Sequence, residues 1–290
     1  MAEAEHQGRV LACVDFSGFA DHVTDHAAWA ARRLDAPLEL LHVIDRHPER
    51  ARSDDHSGAI GIDAREHLLE ELASEDESWS RAAREQGRTL LRRLRTRATD
   101  AGAPSVDIRL RHGELEETLV GLEDEVRLLV LGRRGASAEV TRRDLGRNVE
   151  RVVRALHRPI LAVTEHFVEP KRILIAFDGS PLSRRGVELV AASPLFRGLP
   201  VHLLMSGKER QDARRQLERA RATLEKAGFE ATAELVPGDA ERIIADRVKS
   251  LGIDLLVMGA YSHSPIRSLI LGSRTSDLLR SADVPTLLLR

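Results

Sequence analysis

The chain has 290 residues, of which 42% are apolar, 31% charged and 3% aromatic, and its 44 basic residues stand against 46 acidic ones for a net charge of -2. That length matches about two domains at roughly 150 residues each, and the apolar fraction is enough for two ordinary cores. Balanced charge and few aromatic rings argue against nucleic acid as the main partner, because phosphate neutralisation needs a basic surface and base recognition uses stacking rings.

Apolar runs such as "LLVLG" and "PTLLL" are strand length, far short of the ~18 consecutive residues that span a bilayer. The opening "MAEAEHQGRV" is acidic and polar, with no basic segment leading into an apolar one. A soluble cytoplasmic protein without a secretory signal or membrane partner is therefore expected. The single cysteine, Cys13 in "RVLACVD", excludes an internal disulfide and reads as a small apolar core residue.

In chain order, "RVLACVDFS" at 9 to 17 is an apolar strand ending in Asp15, with Ser17 two residues on. A helix follows that carries His22 and His26 four residues apart beside Asp21 and Asp25. This is one face of a potential metal site, but no further ligands have suggestive spacing, and a solvated helix start is the simpler reading. The strand "LELLHVID" at 38 to 45 leads into a segment at 46 to 80 that is polar at first and then helical around Leu68, Leu69 and Leu72. A surface excursion and a lid over the strand ends both fit such an insertion. Next, Arg81, Arg84, Arg88, Arg92 and Arg95 form a helical stripe, read as an exposed face with Leu90, Leu91 and Leu94 turned inward. After "EVRLLVLGRRG" at 125 to 135, the positions Val149, Val152, Val153 and Leu156 keep helical spacing until Pro159 ends the run before "PILAV".

The chain then repeats itself. "RILIAFDGS" at 172 to 180 matches the opening strand, with Asp178 and Ser180 in place of Asp15 and Ser17. "VHLLMSG" at 201 to 207, "GIDLLVMGAYS" at 252 to 262 and "LGSRTSDLLRSADVPTLLL" at 271 to 289 match the later segments in the same order. Asp15 and Gly132 are 117 residues apart whereas Asp178 and Gly259 are 81 apart, so the first copy holds about 36 extra residues, in the 46 to 80 insertion. The expected domains are 1 to 164 and 171 to 290, joined at 165 to 170. Continuous apolar strands alternating with helical stretches predict an α/β fold of two tandem doubly wound domains, each with a parallel sheet buried on both faces. Ser180 followed by Pro181 predicts an N-cap with proline at the first helical position. Sheets of this kind bind ligands at the carboxyl ends of their strands, where the loops after Asp15, Gly132, Asp178 and Gly259 fall.

The strand-Asp-x-Ser openings, "LLHVID", "LLVLGRRG" and "LLVMGAYS", the delayed "LGR" and "LGS", and the closing "RPILAV" and "VPTLLL" resemble the universal stress protein family, in particular its tandem members. The resemblance implies five-stranded parallel sheets of order 3-2-1-4-5 that pair through their fifth strands, here as an internal pseudo-dimer between "PILAV" and "PTLLLR". It leaves open a further homodimer and an unknown protein partner. It also implies ATP, with or without Mg²⁺, in members that keep Gly, two residues, Gly, nine residues, Gly and then Ser or Thr. Small residues of this kind let backbone amides approach phosphates, and the last pair opens a helix whose N-terminus favours anions.

By that resemblance the second copy offers Gly259, Ser262 in place of a glycine, Gly272, Ser273 and Thr275. A serine at Ser262 costs about 1 kcal/mol if the loop needs positive φ there. The first copy offers Gly132 and Gly135, then ten residues rather than nine before Gly146, with Arg147 in the hydroxyl position. Arg147 has two readings, a partner for a phosphate or a guanidinium occupying its place. Asp15 and Asp178 are implied near the adenine and ribose, where the plain alternative is a turn residue. Val43 and Ser206 are implied to offer backbone groups to the base. No GxSxG, Walker GxxxxGK[ST] or HExxH pattern occurs, so no enzyme is expected. The sequence thus points to a stress-response signalling or regulatory module that binds ATP, foremost in the second copy, with a non-nucleotide interaction scaffold, its sites degenerate in both copies, as the other reading.

Overall fold

The computed structural model describes residues 8–44, 62–133, 147–207, 211–260 and 284–290. The first copy runs β1 (Arg9–Cys13), α1 (Ala20–Leu34), β2 (Leu38–Ile44), α2 (Ile62–Asp100), β3 (Val106–His112), α3 (Leu115–Val120), β4 (Val126–Gly132), α4 (Arg147–Ala155) and β5 (Ile160–Val163). The second runs β6 (Ile173–Ala176), α5 (Pro181–Ala192), β7 (Val201–Ser206), α6 (Gln211–Lys226), β8 (Ala231–Val236), α7 (Ala240–Ser250), β9 (Leu255–Gly259) and β10 (Thr286–Leu289).

Among the described residues ten strands form one continuous sheet, β3-β2-β1-β4-β5-β10-β9-β6-β7-β8. Each half has the order 3-2-1-4-5 in parallel pairing, and the seam is an antiparallel pair, where Leu161 lies opposite Leu287 and Ile160 opposite Leu288. The fifth strands thus pair within one chain. The pairing leaves no open edge at the centre of the molecule, so the seam is buried like any other strand pair.

Side chains alternate across the sheet, and each face has its own layer. On one face Val10, Ala12, Leu161, Ile175, Leu287 and Leu289 pack under α1, α2, α5 and α6. On the other, Leu11, Leu129, Ile160, Leu256 and Leu288 join the apolar sides of α3, α4 and α7. Val149, Val152, Val153 and Leu156 are all buried there, as their spacing requires. Helix α1 approaches the sheet closely because its inner face is built from Ala27, Ala28, Ala30 and Ala31, each fully buried.

Helix α2 spans 39 residues, so the helical part of the 46 to 80 insertion is continuous with the helix that precedes β3. The earlier part of the insertion, through residue 61, lies outside the described residues. Leu90, Leu91 and Leu94 are buried while Arg81, Arg84, Arg88, Arg92 and Arg95 are exposed. Near its middle α2 crosses the sheet at Gly87, where a Cβ would lie 2.9 Å from Leu110 and 3.0 Å from His42. Arg93 and Arg97 tie it to α1 through Asp21 at 2.6 Å and Asp25 at 2.7 Å.

The solvated helix start expected at His22 and His26 is corrected by the structure: His26 is fully buried. Its Nδ1 is 2.7 Å from the His22 carbonyl, and Phe167 packs edge-on against it with ring centres 4.8 Å apart. The junction between the copies covers this part of α1, an arrangement that helical periodicity within α1 does not reveal. The two aspartates are held by the α2 arginines, and among the described residues no three His, Cys, Asp or Glu side chains converge as metal ligands.

Candidate functional site

In each half the connection from the first strand leads to one side of the sheet and the fourth strand lies on the other. The crevice at this switch point is bounded by the carboxyl ends of β1 and β4, and of β6 and β9. The loop after β1 begins at Asp15, whose Oδ1 accepts the Ser17 amide at 3.0 Å and also takes the Ser17 hydroxyl. In the second half Asp178 Oδ1 accepts the Ser180 amide at 2.9 Å, and the Ser180 hydroxyl caps α5 by accepting the Ser183 amide at 3.2 Å. Both aspartates are therefore turn residues, which fixes the direction in which the following helix leaves the sheet. Partial burial pushes the Asp178 carboxyl up, but hydrogen bonds from Ser180, Ser183 and its own amide outweigh it and hold the group below the ordinary carboxylate value. It is an ionised acceptor at neutral pH.

The two loops differ one residue on. Gly179 has φ of +76°, a left-handed conformation, and an added Cβ would overlap the side chain of Gln216 from α6. Phe16 holds the corresponding position in the first half, 57% exposed and edge-on to His42 with ring centres 5.1 Å apart. Beside it lies a cavity of about 650 Å³ lined by Asp15, Phe16 and Ser17 on one side and by Gln86, Thr89 and Arg93 of α2 on the other. The long helix of the first half thus forms a wall of the crevice.

Gly259 and Gly132 end β9 and β4. A Cβ on Gly259 would lie 2.7 Å from Leu182 Cδ2, so a glycine there lets the first turn of α5 close onto the strand end. Val43 and Ser206 lie near the ends of β2 and β7, in register with Arg111 and Val236. The structure brings Asp15, Val43 and Gly132 to one set of strand ends and Asp178, Ser206 and Gly259 to another. Arg147 is the first residue of α4, while Gly135, Gly146, Ser262, Gly272, Ser273 and Thr275 lie outside the described residues.

Arg133 was not singled out by its sequence setting. It follows Gly132, is 8% exposed, and donates through Nη2 to Thr286 Oγ1, at the start of β10, at 2.9 Å and to the carbonyl of Val284 just before that strand. Its backbone amide bonds Val163 at 3.1 Å, as the Ala260 amide bonds Leu289 at 2.7 Å in the other half. The repeat matches Arg133 to the fully buried Ala260, and the oxygens that hold the guanidinium come from the other copy.

The Universal stress protein family model matches residues 7–164 and 201–290. The universal stress protein Slr1230 of Synechocystis is 34% identical over 284 residues, 97% of this chain and 99% of that protein. Among solved structures, a universal stress protein from Archaeoglobus fulgidus aligns with a TM-score of 0.71 at 18% identity, covering 99% of this chain and 98% of that one. A putative universal stress protein from Pseudomonas aeruginosa aligns with a TM-score of 0.62 at 16% identity, covering 99% and 94%. With the same strand order in both halves and a family match in each, the chain belongs to the universal stress protein family as a tandem, two-copy member.

Proposed function

We propose that the protein is a stress-response regulatory module that binds ATP in its second half and performs no catalysis of its own. The observation that carries this reading is the juxtaposition of an ionised Asp178 with the end of β9, from which Gly259, Ser262, Gly272 and Ser273 follow in three-of-four agreement with a phosphate-binding spacing. An ionised carboxylate accepts hydroxyl donors, the chemistry a ribose presents, and the Gly272-Ser273 pair suits backbone amides aimed at phosphate. Bound ATP would supply a polyanion, with Mg²⁺ as counter-charge. This chain's residues would hold the sugar at Asp178, the base beside Ser206, and the phosphates at the loop ending in Ser273 and Thr275.

Isothermal titration calorimetry with MgATP tests the reading, together with analysis of nucleotide released on denaturing freshly purified protein. Saturable binding that is lost in Gly272→Val is expected; no heat at millimolar nucleotide and no released nucleotide would refute it. The second reading, an interaction scaffold with degenerate sites, is favoured for the first half. There Arg133, next to Gly132, is drawn into the seam, the glycine spacing is one residue too long, and Arg147 stands in the hydroxyl position. Binding of one ATP per chain, rather than two, is the result expected from both readings together.

A further inference from the structure

Two grooves flank the β5/β10 seam on the side covered by α1 and α5, and the internal repeat relates them. The step from Asp15 to Asp178 matches His22 and His26 of α1 to Arg185 and Leu189 of α5. In the groove beside α1 the protein supplies its own occupant, the junction between the copies. Phe167 packs on His26 at 4.8 Å, His166 lies 5.7 Å from His22, and Glu169 pairs with Arg32 at 3.3 Å. That occupant is an apolar ring followed by a carboxylate.

The groove beside α5 is a cavity of about 350 Å³. Its apolar wall includes Leu128, Leu189, Leu195, Leu287 and Leu289. Arg185 donates to the Arg290 carbonyl at 3.5 Å, but three further cations of the lining are poorly satisfied. Among the described residues the Arg127 side chain makes one long hydrogen bond, 3.4 Å to the Leu34 carbonyl, and the Arg158 side chain reaches only the Glu123 carbonyl at 3.2 Å. Arg290 Nη1 is closed off from solvent with no hydrogen-bond partner among the described residues. Among the described residues none of these three guanidinium groups has a carboxylate partner. The Glu123 carboxylate, which also lines the groove, already accepts the backbone amides of His157 and Arg158. Half-buried guanidinium groups with too few acceptors favour an anion, and the leucine wall favours an apolar body.

We propose that this groove binds a small amphipathic carboxylate, a medium-chain fatty-acid anion of about eight carbons, as suits a cavity near the lower end of the usual range. Its chain occupies the place that Phe167 takes in the related groove, and its carboxylate meets Arg127, Arg158 and Arg290. Among the described residues none of the candidate nucleotide positions lines this cavity, so the proposal stands apart from ATP binding.

Calorimetry on the full chain with sodium octanoate tests it, with octylammonium and acetate as comparisons. Saturable binding of one octanoate per chain is expected, at a dissociation constant of about 1 mM or tighter. Arg127→Met should weaken it about tenfold, the effect of removing one charged hydrogen-bond partner. Leu189→Trp, which fills the groove, should abolish it. A thermal melt checks that both variants fold; if Leu189→Trp does not, Arg127→Met decides alone. No saturation by roughly 10 mM octanoate, equal affinity for octylammonium, or unchanged affinity in Arg127→Met would each overturn the proposal.

Discussion

His26 should make the stability of this protein depend on pH in a defined window. The ring is fully buried in α1 beneath Phe167, and its Nε2 has no hydrogen-bond partner among the described residues. Burial is the largest influence on its pKa and outweighs the His22 carbonyl and the Asp25 charge, which favour the cation. The pKa is pushed from an ordinary 6.5 down to about 4. The unfolded chain therefore binds a proton between these values that the folded chain refuses. Stability is unaffected above about pH 6.5 and falls as pH drops toward about 4. At ~1.36 kcal/mol per pH unit the full loss is about 3 kcal/mol, and at pH 5 it has reached about 2 kcal/mol. Urea denaturation of wild type and His26→Leu at a series of pH values isolates the effect, because the other titrating groups are common to both. The wild-type profile should lose about 2 kcal/mol more than the variant between pH 7.5 and 5. Parallel profiles, or a His26 ring proton that titrates near 6.5 by NMR, would refute the reasoning.

Gly179→Ala should cost about 1–2 kcal/mol, because alanine disfavours the left-handed backbone and its Cβ would displace the Gln216 side chain. Adding Gln216→Ala should recover the steric part alone, and a neutral single substitution in urea melts would contradict this. Arg133→Met removes the buried guanidinium that joins the end of β4 to Thr286 and Val284 across the seam. A loss of about 2 kcal/mol in the urea unfolding free energy is expected, and an unchanged midpoint and slope would show that the clasp contributes nothing.

Much of the fold was legible because the evidence for it is local and repeated. Continuous apolar runs marked the strands, 3-4 spacing marked Val149 to Leu156, and Ser180-Pro181 marked a helix start that the structure caps as expected. Two copies of one pattern in one order gave the tandem architecture without any single strong motif. The candidate site was legible only in outline. Asp15, Gly132, Asp178 and Gly259 could be placed at strand ends because each closes an apolar run, but their surroundings come from distant segments. Gln216 lies over Gly179, Leu182 fills the space beside Gly259, and α2 walls the crevice at Asp15.

His26 shows the same division at one residue. Its spacing from His22 was visible as a helical pair, but its burial depends on Phe167, 141 residues later, folding back over α1. Composition, periodicity and internal repetition, which act through neighbours in the chain, determined the elements and their order. The single ten-stranded sheet, the buried Arg133 between the copies, and the filling of one seam groove but not its counterpart were decided only by tertiary structure. Each depends on which distant side chains meet when two copies of nearly the same unit pair back to back.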